Sequence, residues 1–174
     1  MFRNPLLIFA LLVLSSCVPT LTYRDFEDPI FFANQRAGGT CIECPFKTGL
    51  MVAIWPDGRI LRALSEETVG NNYVYGHMSS RDIENTIALV QELYESDIDS
   101  PGVIIDFSYR FIWVFPVSDP DQSATFLYTI GEEGYQPDSA LGQIMDIEII
   151  SGRELRWDQL PRFGSGVWGV WTTR

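Results

Sequence analysis

Beyond residue 40 the chain carries two kinds of apolar pattern, and each predicts its own element. Gly49 to Trp55 and Arg59 to Leu64 are apolar runs of strand length, separated by Pro56-Asp57-Gly58. Proline, aspartate and glycine suit a tight turn, so these runs predict a hairpin. Asn71-Asn72 offers another turn before the alternating Tyr73, Val74 and Tyr75, which predict a strand to His77. The period then lengthens. Ile83, Ile87, Val90 and Tyr94 recur at helical spacing, and Ser79, with Asp82 three residues on, can cap a helix running to Glu95.

After Ser100-Pro101-Gly102 the strand pattern returns in Phe107 to Val117 and, beyond a turn at Ser118-Asp119-Pro120-Asp121, in Ala124 to Ile130. Leu141, Ile144, Met145 and Ile149 then predict a second helix, which Gly142 weakens by about 1 kcal/mol relative to alanine. The stretch Ile147 to Ile150 reads equally well as a strand, and Gly166 to Thr172 predicts a terminal one. Together the elements predict an α+β fold, a mainly antiparallel sheet built from two hairpins plus short strands, with one or two helices packed on one face.

Residues 18 to 40 show no sustained periodicity and read as a tether leading into the domain. Ahead of them, Arg3 precedes the unbroken apolar run Leu6 to Leu14, which ends in Ser15-Ser16-Cys17, the charge, apolar and small-residue order of a secretory signal. As a helix the nine-residue run would cover about 14 Å, against roughly 30 Å of bilayer core, too short for a permanent span. Leu14-Ser15-Ser16-Cys17 resembles the bacterial lipobox, whose cysteine takes a diacylglyceryl group. The resemblance implies a signal peptide over 1–16, a lipidated tether and lead-in over 17–40 and a single domain over 41–174. It also implies attachment to a membrane through lipid on Cys17, and Val18, in the place where an aspartate commonly retains such proteins at the inner membrane, points to the outer membrane facing the periplasm. Acyl chains contribute about 0.8 kcal/mol per buried CH₂, enough for a stable anchor when two or three are attached.

The net charge of -11 becomes -12 once residues 1–16, which hold Arg3 and no acid, are removed. Such a chain repels nucleic acid and anionic headgroups, so no nucleic-acid partner is expected. The acids are scattered rather than run together, which fits a solvated surface.

Cys41-Ile42-Glu43-Cys44 is the only cysteine pair after Cys17, and an exported setting permits a disulfide between them. The catalytic alternative is thiol-disulfide exchange, since this spacing can lower a thiol pKa. Gly38-Gly39-Thr40 precedes the pair, and Pro45 and a predicted strand follow, unlike the helix start of a thioredoxin-like unit. Two cysteines and the single His77 make no evident zinc set, so no metal is expected. No cofactor fingerprint is present either, and Phe163 in Phe163-Gly164-Ser165-Gly166 breaks the spacing of a nucleophile elbow. No catalytic residue is therefore assigned.

Phe107, Tyr109, Phe111, Trp113 and Phe115 place an aromatic at every second position, all on one face of a strand. Such a row is usually core packed under helices; the functional alternative is a stacking surface for a glycan or an envelope protein.

The stretch from Cys41 to Tyr94 also resembles a family of small exported bacterial domains of unknown function. The matching order is Cys41, Cys44-Pro45, a strand, Asp57-Gly58, a strand, then Gly70, Tyr73 and Gly76, and a helix from Ser79. Two residues separate the cysteines where three are expected in many members, and the family brings no assigned chemistry. The expected function is a non-enzymatic, lipid-anchored envelope binding module; the alternative is an envelope thiol oxidoreductase using Cys41 and Cys44.

Overall fold

The computed structural model describes residues 29–36, 49–96, 109–117, 124–129 and 138–160. Seven strands form one antiparallel sheet: β1 (Phe31–Arg36), β2 (Gly49–Ile54), β3 (Arg59–Ala63), β4 (Asn72–His77), β5 (Tyr109–Val114), β6 (Ala124–Thr129) and β7 (Ser151–Arg156). Their spatial order is β6-β5-β1-β2-β3-β4-β7. Two helices complete the α+β fold, α1 (Ser80–Glu95) and α2 (Ala140–Met145).

Local chemistry explains most of these boundaries. Gly58 sits at φ +86°, a region open to glycine, and its N–H donates to the Trp55 carbonyl at 3.0 Å, reversing the chain between β2 and β3. The Ser79 hydroxyl accepts from the Asp82 N–H at 3.1 Å and satisfies one of the orphan donors at the start of α1. Ser139 does the same for α2, accepting from Gly142 N–H at 3.1 Å. α1 buries Thr86, Leu89, Val90 and Leu93, with Ile83, Ile87 and Tyr94 partly buried against the core.

One strand was hidden in the sequence. Phe31–Arg36, within the residues assigned to the lead-in, is β1 and lies inside the sheet between β2 and β5. The domain therefore takes in this strand as well as residues beyond 41. Its residues Phe31 to Gln35 are all buried, whereas strand recognition by alternation requires one face to be polar. β7 was also unforeseen, because Leu155 is its one buried residue and the rest reads as a polar turn. The expected terminal strand over Gly166 to Thr172 lies outside the described residues.

Cross-strand partners point to the same side of a sheet, so the register sorts side chains into faces. Ile112, Ala33, Val52, Arg62 and Val74 share one side. α2 meets that side, where Arg62 Nη2 donates to the Ile144 carbonyl at 3.5 Å, and α1 packs on α2 and touches β5. Trp113, Phe32, Ala53, Leu61 and Tyr75 share the opposite side. At the far edge, a Cβ on Gly76 would collide with the Ser151 carbonyl oxygen, so glycine there allows β4 and β7 to approach.

Candidate functional site

The aromatic row divides between described and undescribed residues. Phe107 lies outside the described residues, and Tyr109 is placed by its backbone alone, paired with Arg36 and Thr129. Phe111, Trp113 and Phe115 are half-buried, while the residues between them, Ile112 and Val114, are fully buried. The row lies on the side away from Arg62 and Ile144. Phe32, wholly buried beside it, stacks on Trp113 with ring centroids 4.5 Å apart and planes 17° apart, and on Phe115 at 6.0 Å. Phe111 leans on Trp113 at 5.3 Å. These contacts fix the rings laterally while leaving part of each open, the arrangement a stacking surface needs.

A polar group lies within this apolar side. Asn34, paired directly with Phe111 across β1 and β5, is 2% exposed, and among the described residues neither its Nδ2 nor its Oδ1 has a hydrogen-bond partner. Leaving a buried amide unsatisfied costs about 1 to 3 kcal/mol per group. The β1–β2 register shifts at this point: Ala33 pairs with Val52 and Asn34 with Leu50, so Met51 is passed over. Bulges of this kind redirect side chains and are frequent beside functional sites.

On the same side Arg59 lies over the Trp55 ring, 5.4 Å from its centroid, and its Nε donates to Asp57 Oδ2 at 2.6 Å. Burial disfavours the guanidinium charge, but hydrogen bonding to Tyr75 and the charge and hydrogen bond of Asp57 outweigh it, raising the Arg59 pKa above its ordinary value. With its donors shared between Tyr75 and Asp57, this cluster pins the β2–β3 turn.

A separate cavity of about 230 Å³ opens beside the first half of β2 and the end of β3, between Ser65 and Val69, which flank the short 3-10 turn Glu66–Thr68, and Met145, the last residue of α2. Val52, Val69, Met51 and Ala63 provide buried apolar walls, Leu64 and Met145 add apolar surface, and Arg62 and Ser65 supply polar groups. Sequence reasoning missed this site, because its lining comes from positions 51 to 145 and only the topology unites them.

Cys17, Cys41 and Cys44 lie outside the described residues. His77 is exposed at the end of β4. Among the described residues no cluster of three His, Cys, Asp or Glu side chains could hold a metal ion, and no helix is long and apolar enough to cross a membrane. Compared with family models, curated proteins and solved structures, the chain matches none.

Proposed function

We propose that this protein is a lipid-anchored component of a bacterial envelope whose α+β domain is a non-enzymatic binding module, and that it engages an envelope protein or glycan through the aromatic side of β5. The observation that carries this reading is the division of one strand. Ile112 and Val114 supply the buried side, which leaves Phe111, Trp113 and Phe115 half-buried on the side away from α2. Beside the wholly buried Phe32, Ala53 and Leu61 of the same side, these three rings keep the exposed surface on which a partner would stack. The anchor rests on the resemblance of Leu14-Ser15-Ser16-Cys17 to the lipobox, and Val18 favours the outer membrane facing the periplasm.

Two measurements test the two halves. A clickable fatty acid should label the wild-type chain in cells and leave Cys17→Ala unlabelled; equal labelling of both sinks the anchor. A photo-crosslinking amino acid at position 113 should give a defined adduct with an envelope protein or glycan in cells. At position 150, where Ile150 is 68% exposed, it should give none. Equal adducts at both positions, or none at 113, would remove the aromatic side as the binding surface.

A further inference from the structure

The register sets the Asn34 side chain directly across from Phe111, at one end of the aromatic row. Resting on the reading of that row as a binding surface, we propose that its partner is an extended, apolar segment of an envelope protein rather than a glycan, and that the Asn34 amide hydrogen-bonds the segment's backbone once the Phe111 ring is pushed aside. Asn34 is 2% exposed, and neither Nδ2 nor Oδ1 has a hydrogen-bond partner among the described residues. An amide buried in that state has given up its bonds to water for nothing, and a partner that supplies one donor and one acceptor restores them. The register shift of β1 against β2 falls between Ala33 and Asn34, and bulges of this kind re-aim a side chain.

An extended chain supplies the missing pair. In a strand the N–H and C=O of one residue point to the same side, and an Asn side chain carries a donor and an acceptor next to each other, so one amide satisfies both backbone groups. A sugar demands more. Each pyranose brings several hydroxyls, whereas Phe111 and Phe115 carry no hydrogen-bonding side-chain group and Trp113 carries only its indole N–H. Hydroxyls pressed on these rings would lose water without replacement, and the apolar side chains of a peptide would not.

The approach is short. Directly paired residues have Cβ atoms about 4.5 to 5.5 Å apart, which brings the half-buried Phe111 ring and the Asn34 amide side by side. Phe111 leans on Trp113 with ring centroids 5.3 Å apart. A partner side chain that takes over this place on Trp113 carries its own backbone to Asn34.

The test separates binding from stability. The full chain with a photo-crosslinking amino acid at position 113 is expressed in cells, alone and combined with Asn34→Leu or Asn34→Ala. Protease should trim the added mass to a peptide, glycan hydrolases should leave it unchanged, and fragmentation mass spectrometry should place the link in an uncharged, apolar segment. Both Asn34 variants should lower the adduct about tenfold, the worth of one or two neutral hydrogen bonds. Asn34→Leu should at the same time raise the urea midpoint of the purified chain, an opposition that a role in packing alone does not produce.

An adduct that both variants keep overturns the role of the amide. A lower midpoint in Asn34→Leu overturns it as well, since the amide would then have its partner in the free protein. An added mass cut by glycan hydrolases and spared by protease, or a link in a charged segment, overturns the apolar peptide. The absence of any wild-type adduct at position 113 instead removes the aromatic surface itself, so the two readings fail by different results.

Discussion

β5 presents two sides built to different standards. Ile112 and Val114 are sealed, and their branched aliphatic chains have no task but packing. Phe111, Trp113 and Phe115, one residue away in each case, carry far more surface and bury less of it. Nearby lies Asn34, whose amide is enclosed without a hydrogen-bond partner among the described residues. The difference is confined to β5, because Phe32, Ala53 and Leu61 on the aromatic side are buried as completely as Ile112 and Val114, so burial must be read residue by residue and not side by side.

The comparison can be broken most directly by truncation. Ile112→Ala should destabilise the protein by about 2 to 4 kcal/mol, as deletion of a fully buried aliphatic chain does. Trp113→Ala should cost less than half as much in urea unfolding, because part of the ring already faces solvent. A larger loss at Trp113 would make the aromatic row the main core and remove the argument for a binding side.

Asn34→Leu should raise stability by about 1 to 2 kcal/mol, since it replaces an unsatisfied amide with an apolar chain of similar size. A lower midpoint would mean that the amide finds a partner in solution. Removal of the cap by Ser79→Ala should cost about 1 kcal/mol. Hydrogen exchange should then speed up in α1, leaving β5 protection at Phe111 and Trp113 unchanged if the aromatic side is independent of the helix.

The smallest effect concerns Arg59. Arg59→Lys should cost about 0.5 to 1 kcal/mol through weaker stacking on Trp55. The folded-state pKa of Arg59 is raised, so its contribution is complete below the unfolded guanidinium value and declines only as pH rises through the folded one. Between about pH 6 and 9 the difference between wild type and Arg59→Lys should therefore stay flat; a slope in that window would assign the effect to a different titrating group.

Legibility in the sequence follows the same division. The turn at Pro56-Asp57-Gly58 and the helix from Ser79 were readable because each combines a period with a local signal, glycine at positive φ in one and a capping hydroxyl in the other. β1 was not, because burial on both sides erases alternation and leaves Ile30-Phe31-Phe32-Ala33 as a run without a face. The aromatic row was readable as a row. Which side of β5 the protein would seal was not, because Ile112 and Val114 are as apolar as their neighbours and the local sequence holds no record of what packs above each side. The cavity was beyond reach for a different reason: Met51 and Arg62 belong to one hairpin, but Met145 joins them from α2.

The position of β1 also has a mechanical meaning. A chain held by its amino-terminal end, as the proposed anchor implies, transmits a pull to its first strand, which among the described residues is β1, hydrogen-bonded along both edges, to β2 and to β5. Drawing it out lengthwise would shear two ladders together, whereas an edge strand peeled from its end gives way one bond at a time. On the proposed anchor at Cys17, force would reach β1 first among the described strands, and its ladders to β2 and β5 would have to shear together.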